Sequence, residues 1–348
     1  MKGVFLETGP FYVDENNQLK DRNSSWTRTH SMLYIDAPVG SGFSFADSVD
    51  AYAKNSEDEA IELNEALRQF FTVFTEFQKN DFYLAGETYA GTFIPYIAKK
   101  LDEENKNSPV QINLKGVIMG SPYLDSEQVR KENYYYSIGL INAQQKKEFA
   151  IATDRLFELH KQGKNEEAAA FGASLHLGPD SMTSKLTGFE DTHSALKSKD
   201  PPALGRFLKF IDSKEVHNYL HTGVHKFIAT NNVVYKNFGN DALGSHTAAV
   251  EELLNKGYRV LIYVGQFDIL LTHDKLEEVV FNLKWNKAEE FAAAPRKVWR
   301  VDGEVAGYTQ SVGSFSYVLV RNAGNYAIQD QPEWITDLVE NFIANKDI

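Results

Sequence analysis

Residues 86–91, which read Gly-Glu-Thr-Tyr-Ala-Gly, have the types and spacing of a nucleophile elbow. They follow the short apolar run 82–85 and precede a stretch with apolar residues at helical spacing. This order predicts a strand, a tight turn and a helix that begins near Tyr89. Small residues on both sides of the turn let strand and helix approach closely around a strained central residue. That residue is Thr88, whose hydroxyl is the candidate nucleophile.

An elbow nucleophile needs an acid and a base on loops that follow later strands. Asp268 is the acid candidate because it lies just beyond the apolar run 259–264, although a solvated turn aspartate is the alternative interpretation. The base should follow the last strand, but residues 321–332 contain no histidine. The amide that follows the nucleophile, that of Tyr89, is the candidate oxyanion donor.

Histidines elsewhere in the chain suggest two further kinds of chemistry. His273 follows the acid candidate closely and is the alternative base, against the plainer interpretation of a solvent-facing residue in a first helical turn. Three histidines are spaced by four residues, as on one face of a metal-binding helix: His217, His221 and His225. Gly223 interrupts that helix, so we expect no metal site.

The elements that must position these residues alternate between strand and helix. The patterns predict a strand at 32–36, a helix at 55–78, the elbow strand at 81–85, a helix at 89–104 and a strand at 112–119. This alternation implies a mainly parallel sheet covered by helices on both faces. Residues 123–250 break the rhythm with polar helical segments, and we interpret them as an inserted helical cap.

The sheet resumes after the cap. The later predicted elements are a buried strand at 258–265, a helix at 273–283, hairpin strands at 296–301 and 315–321 around Ala306-Gly307, and a last amphipathic helix at 333–344. A strand–elbow–helix unit within such a sheet is typical of the α/β-hydrolase fold. We therefore predict one α/β-hydrolase domain over residues 1–348, with a mixed, mainly parallel sheet.

The composition excludes several classes of function. The net charge is −12 and no long basic run occurs, so nucleic acid and anionic membrane surfaces are poor partners. No apolar run reaches the roughly 18 residues that suggest a membrane span. The absence of cysteine excludes disulfides, thiolate catalysis and cysteine metal sites. We expect no cofactor.

The chain resembles the serine carboxypeptidases nearly from end to end, and most of all their animal vitellogenic-like branch. The matching motifs occur in family order: Phe5-Leu6-Glu7-Thr8-Gly9-Pro10, Ser25-Trp26-Thr27, residues 32–44, residues 81–83 with 86–91, residues 263–268, Lys297-Val298-Trp299 with residues 304–308, and Asp330-Gln331-Pro332. The resemblance implies a serine-type carboxypeptidase that acts in the secretory pathway, the lysosome or outside the cell. The first residues are too short and too soon acidic for a signal peptide, and one glycosylation sequon begins at Asn23.

The resemblance also implies an altered catalytic triad. In the family the elbow has serine where this chain has Thr88, and the base loop has histidine where this chain has Asn325. Only Asp268 keeps its place. A threonine hydroxyl can attack only if a base takes its proton, and an asparagine amide does not accept that proton. We therefore expect no catalysis by the family mechanism.

A second pair of family residues is retained. The family recognises the terminal carboxylate of a peptide with two glutamates, which correspond to Glu87 and Glu7. Two close carboxyls raise one pKa, so that one group stays protonated and can donate to a carboxylate. The equal alternative is that Glu87 only stabilises the elbow.

In the family, a glycine-rich oxyanion loop and several strands precede the position of Met1. One of them is the central strand between the strands at 32–36 and 81–85. Its removal leaves unpaired backbone groups on both neighbours. We expect a fragment above all, and otherwise a sheet that closes differently or a strand supplied by another chain.

Three functions follow from these observations. The leading hypothesis is a non-catalytic carboxypeptidase-like protein that binds a peptide C-terminus, a small ligand or a partner. The second is a residual hydrolase that uses Thr88 with an unconventional base such as His273. The third is a structural or interaction protein with a vestigial cleft, which forms a homo-oligomer or pairs with a strand-donating chain.

Overall fold

A computed structural model describes residues 1–348. Its strands are β1 (Phe11–Val13), β2 (Leu19–Asp21), β3 (Phe82–Glu87), β4 (Leu114–Gly120), β5 (Arg259–Gly265), β6 (Lys297–Val301), β7 (Glu304–Val312) and β8 (Phe315–Val320). The first two form a small hairpin, and the other six form one sheet in the order β3-β4-β5-β8-β7-β6. The strands β3, β4, β5 and β8 run parallel, whereas β7 and β6 join the sheet antiparallel. The prediction of a mixed, mainly parallel sheet is confirmed.

Helices cover both faces of this sheet. They are α1 (Ser56–Val73), α2 (Tyr89–Asn105), α3 (Glu132–Ser137), α4 (Ala143–Lys161), α5 (Asn165–His176), α6 (Met182–Thr187), α7 (Pro202–Ile211), α8 (Lys214–Leu220), α9 (Asn232–Asn237), α10 (Thr247–Asn255), α11 (His273–Phe281), α12 (Ala288–Ala293), α13 (Ala327–Asp330) and α14 (Pro332–Ile343). The apolar run of β5 explains the two layers, because alternate side chains point to opposite faces. Val260 and Ile262 join the core under α1, α2, α10 and α11, whereas Leu261 and Tyr263 join the core under α14. None of the helices combines the length and apolar character needed to cross a membrane.

The helices α3 to α9 lie between β4 and β5 in the chain and build small cores of their own. The helix α10 is different, because its Val250 and Leu253 are part of the large core against the sheet. Residues near 250 therefore already belong to the layer that covers the sheet. The interpretation of 123–250 as an inserted cap stays a prediction in its exact limits.

Two predictions for single elements are wrong. Residues 32–36 were expected to form a strand, but they pair with no other strand and lie outside the sheet, which ends at β3. A strand needs a hydrogen-bonded neighbour, and an apolar run alone does not provide one. Ala306-Gly307 were expected at the turn of a hairpin but lie within β7, where Gly307 faces the backbone of β8 closely.

The turn between β6 and β7 is formed by Asp302 and Gly303 instead. Both residues have positive φ, of 49° and 83°. Asp-Gly with positive φ at both positions is a favoured connection for two antiparallel strands. The turn signal in the sequence is therefore Asp302-Gly303, four residues before Ala306-Gly307.

Candidate active site

The elbow forms as the sequence predicts. The strand β3 ends at Glu87, the helix α2 begins at Tyr89, and Thr88 between them has φ 56° and ψ −119°. A side chain with a Cβ is strained in this conformation. A Cβ on Gly86 would lie 2.7 Å from Cδ1 of Ile94, which shows why a glycine is needed where the helix turns back on the strand.

A chain of hydrogen bonds links the three triad positions. The Thr88 hydroxyl donates to Oδ1 of Asn325 over 2.7 Å, and Nδ2 of Asn325 donates to Oδ2 of Asp268 over 2.9 Å. The three residues come from the elbow, from the loop after β5 and from the loop after β8. Residues far apart in the sequence thus meet at the carboxyl ends of parallel strands, and Asn325 holds the position between nucleophile and acid.

The orientation of the Asn325 amide decides what this arrangement can do. At neutral pH its NH2 group points to an ionised carboxylate that can only accept, so its oxygen faces Thr88. The Thr88 hydroxyl is then held as a donor to a neutral carbonyl oxygen. That oxygen is far too weak a base to take the hydroxyl proton at neutral pH. The site therefore has the hydrogen-bond pattern of a triad, with an amide oxygen as the acceptor from Thr88.

Asp268 is fully buried, and burial raises its pKa to about 6. Hydrogen bonds from the Leu271 amide and from Asn325 partly offset this effect. Its Oδ1 accepts from the amides of Leu270 and Leu271, each over 2.8 Å. The acid position is thus rigidly held although no imidazole is present for it to orient.

The loop between α6 and α7 forms hydrogen bonds with both the loop that carries Asp268 and the loop that carries Asn325. The sequence did not predict this contact. The backbone N–H of Asn325 donates to the His193 carbonyl over 3.0 Å. The backbone N–H of Ala195 donates to the Phe267 carbonyl over 2.9 Å. The Phe267 amide in turn donates to the Ala323 carbonyl over 2.7 Å. This loop lies in a polar, loop-rich stretch of sequence, where no periodicity marks long-range contacts.

The side chain of His193 belongs to the same loop. Its Nδ1 lies 2.9 Å from Oδ1 of Asp191, and its ring stacks on Tyr326 with centroids 5.1 Å apart. Tyr326 follows Asn325 directly, and this adjacency was the one sequence signal that could have pointed to it. No hydrogen bond joins His193 to Thr88, whose hydroxyl donates to Asn325 instead.

The two glutamates predicted to bind a carboxylate lie together. Burial raises the pKa of Glu87 well above its ordinary value, and the charge of Glu7 raises it further. Burial likewise raises the pKa of Glu7. The Tyr263 hydroxyl donates to Oε1 of Glu87 over 2.9 Å, while Oε2 is buried without a hydrogen-bond partner. A protonated Glu87 could use that second oxygen to donate to a ligand.

Tyr89 contributes to the site through its backbone. The amide is the first of α2, and the first amides of a helix have no intrahelical acceptor. This amide lies next to Thr88, and its role as the oxyanion donor stays a prediction. The Tyr89 hydroxyl points away into the helical region and donates to Oδ2 of Asp241 over 3.2 Å.

The histidines considered as alternatives lie elsewhere. His273 packs edge-to-face on Tyr134, with ring centroids 5.2 Å apart, and no hydrogen bond links it to Thr88. His217 lies 3.2 Å from Asp212 through Nε2, and His225 stacks on Phe45. The geometry thus gives no support to a base at His273, and His217 and His225 have separate partners.

Comparisons with known proteins agree with this geometry. A family model described as serine carboxypeptidase matches residues 1–345. The venom serine carboxypeptidase of Apis mellifera is 38% identical over 352 residues, which cover 99% of this chain and 75% of that protein. The probable serine carboxypeptidase CPVL of Homo sapiens is 37% identical over 358 residues, and the coverage is 99% and 74%.

A solved structure and a further relative complete the comparison. The crystal structure of Kex1(delta)p, a prohormone-processing carboxypeptidase from Saccharomyces cerevisiae, superposes with a TM-score of 0.83 and covers 99% of this chain and 80% of that one. Its identity of 22% shows the fold alone. The vitellogenic carboxypeptidase of Aedes aegypti is 34% identical over 347 residues, covering 98% of this chain and 73% of that protein. The predicted resemblance is confirmed, and the chain belongs to the serine carboxypeptidase family.

Proposed function

We propose that this chain is a non-catalytic serine carboxypeptidase that binds peptides by their C-terminal carboxylate. One observation carries the proposal. Asn325 occupies the position between nucleophile and acid, with its oxygen 2.7 Å from the Thr88 hydroxyl and its NH2 group 2.9 Å from Asp268. The hydrogen-bond geometry of the triad is kept, but no group can take the proton from Thr88.

The expected loss of activity is large. Removal of triad members from serine proteases lowers turnover by on the order of 10⁴ to 10⁶. This chain differs from the family at two of the three positions, Thr88 and Asn325. The losses are not additive, yet either one is large enough to bring hydrolysis close to background.

The carboxylate-binding part of the proposal rests on Glu7 and Glu87. Raised pKa values keep a carboxyl protonated at mildly acidic pH, and a protonated carboxyl can donate to a ligand carboxylate. We assign that bond to Oε2 of Glu87, because Oε1 already accepts from the Tyr263 hydroxyl.

Peptide binding tests this part of the proposal. A fluorescent peptide with a free C-terminus should bind at about pH 5, and the same peptide with a C-terminal amide should bind at least about ten-fold more weakly. Glu87→Leu should abolish the preference for the free carboxylate, whereas Glu87→Gln, which keeps a donor at every pH, should retain it at neutral pH. Anisotropy gives the affinities, and mass spectrometry should recover the peptide intact.

Equal affinity for the two peptides would contradict carboxylate recognition. The exposed Glu304 provides a matched control, because Glu304→Leu leaves the cleft unchanged. Cleavage of the peptide with a free C-terminus would instead contradict the non-catalytic part of the proposal. The two failures are therefore distinguishable in one experiment.

Self-association is a second candidate function, and the sheet favours it. The strand β3 is an edge strand, so one row of its backbone groups has no neighbouring strand. Leu33 and Ile35, from the segment outside the sheet, are 40% and 43% exposed. An open edge and exposed apolar side chains are the features through which a second copy of the chain could pair.

A further inference from the structure

A cavity of about 340 Å³, open to solvent, lies between α3 and the loop that connects β5 to α11. Its wall includes Tyr134, Gln266, Phe267, His273 and Asp274. The triad residues and the glutamates of the proposed peptide site do not line it. The volume lies within the range that binds small organic molecules.

Asp274 gives this cavity its charge. It is the only acidic residue in the wall, and neither a lysine nor an arginine lines the cavity. The nearby cations are engaged elsewhere, since Lys275 pairs with Glu278 over 2.7 Å and the Arg296 guanidinium lies 3.7 Å above the Tyr308 ring. One oxygen of Asp274, Oδ1, is buried without a hydrogen-bond partner. An orphaned carboxylate oxygen indicates that a donor is missing.

The rest of the wall is aromatic or neutral. Tyr134 is buried and meets His273 edge-to-face, with ring planes at 86°. Burial lowers the pKa of His273, so its imidazole is uncharged at neutral pH and does not neutralise Asp274. A carboxylate next to aromatic rings is the chemistry that recognises an ammonium group.

We propose that this cavity binds a small primary amine, whose ammonium group pairs with Asp274 and whose apolar body lies against Tyr134 and Phe267. The site is separate from the cleft in which a peptide carboxylate would bind. It touches the acid loop all the same, because the Tyr134 hydroxyl donates to the Gln266 carbonyl and Phe267 directly precedes Asp268.

Calorimetric titration with benzylamine tests the proposal. Benzyl alcohol, which has the same ring and no charge, is the matched ligand. Wild-type protein should bind benzylamine at least about ten-fold more tightly than benzyl alcohol, and Asp274→Asn should remove that difference because it keeps the shape and deletes the charge. Glu289→Gln, in α12 and exposed, should leave the affinity for benzylamine unchanged.

A second variant tests the proposal independently if Asp274→Asn does not fold. Ser137 lines the cavity at an exposed position, so Ser137→Phe should fill the space and block benzylamine without touching Asp274. Circular dichroism checks the fold of each variant. Failure of wild-type protein to bind benzylamine, or equal binding by wild type and folded Asp274→Asn, overturns the proposal.

Discussion

At the scale of single residues, the substitution of an amide for an imidazole determines the chemistry of the site. Asn325 makes both hydrogen bonds that a base would make, one to Thr88 and one to Asp268. Position and partners are therefore retained, and only the ability to bind a proton differs.

Replacement of the buried acid should change how stability depends on pH. Asp268 has an ordinary pKa of 3.8 that burial raises to about 6, so the folded state binds its proton more tightly than the unfolded state does. The resulting stabilisation is complete below pH 3.8 and is lost as the pH rises past about 6. The shift of roughly two units corresponds to about 3 kcal/mol.

Asn at position 268 cannot titrate, so the Asp268→Asn variant should not lose this stabilisation as the pH rises. The free energy of unfolding of the variant, relative to wild type, should therefore rise by up to about 3 kcal/mol between about pH 4 and pH 7 in denaturant titrations. The exposed Asp180 supplies the control, and Asp180→Asn should show no such trend. A difference between Asp268→Asn and wild type that stays constant with pH would contradict the assignment.

The sequence was sufficient to place some of these residues and not others. Thr88 and Asp268 could be placed in one site because elbow spacing and strand order determine which loops meet, and the family resemblance assigned Asn325 to the base position. Asp191, His193 and Tyr326 could not, since their contacts join a loop without periodicity to the base loop. Only the adjacency of Tyr326 to Asn325 points to that contact, whereas neither the type nor the spacing of Asp191 and His193 does.

At the scale of elements, the elbow stores strain that the proposed function does not need. Thr88 has a positive φ that a nucleophile elbow requires and that glycine adopts without cost. We therefore expect Thr88→Gly to be more stable than Thr88→Ala by about 1 kcal/mol, after the extra entropy of unfolded glycine is subtracted. Both variants lose the hydrogen bond to Asn325, so their difference isolates the backbone effect.

At a helical site the order of stability should be reversed, with the glycine variant less stable than alanine. At the exposed Ala292 in α12, Ala292→Gly should destabilise the protein by about 1 kcal/mol, because glycine is a poor helix former. Thermal and denaturant unfolding of the four proteins provide the comparison. A Thr88→Gly variant that is less stable than Thr88→Ala would show that the elbow is not strained at this residue.

A helix could be predicted where its own residues contain the complete apolar pattern. The helices α2, α11 and α14 agree with the helical patterns within a few residues, since a 3.6-residue period reports directly on a buried stripe. Residues 32–36 were mispredicted because a strand depends on a neighbour that the segment itself does not encode. The hairpin error had another cause, as Ala-Gly was preferred to the stronger Asp-Gly turn signal at Asp302.

At the scale of the whole molecule, two apolar cores enclose a sheet whose β3 edge is open. If a second copy pairs with this edge, light scattering should report a mass above that of one chain, increasing with concentration. Ala85 is exposed on β3, and Ala85→Lys should shift the protein towards monomer because a charge on an edge strand opposes pairing. Ala292→Lys is the control, and a wild-type monomer at all concentrations would contradict self-association.

The fold as a whole was the most predictable level. Many short motifs in family order specified the α/β-hydrolase architecture, and no single residue was needed for it. Catalytic activity is the property that is hardest to predict. It depends on two side chains, Thr88 and Asn325, that hardly affect the fold.

The hydrolysis of a blocked dipeptide with a free C-terminus tests the central claim most directly. Wild-type protein and Thr88→Ala should be compared at about pH 5 and about pH 7.5, which covers the range in which an imidazole base would titrate. We predict that the two proteins release the C-terminal residue at the same background rate. Faster release by wild type than by Thr88→Ala at either pH would show that Thr88 attacks the peptide and would contradict a non-catalytic site.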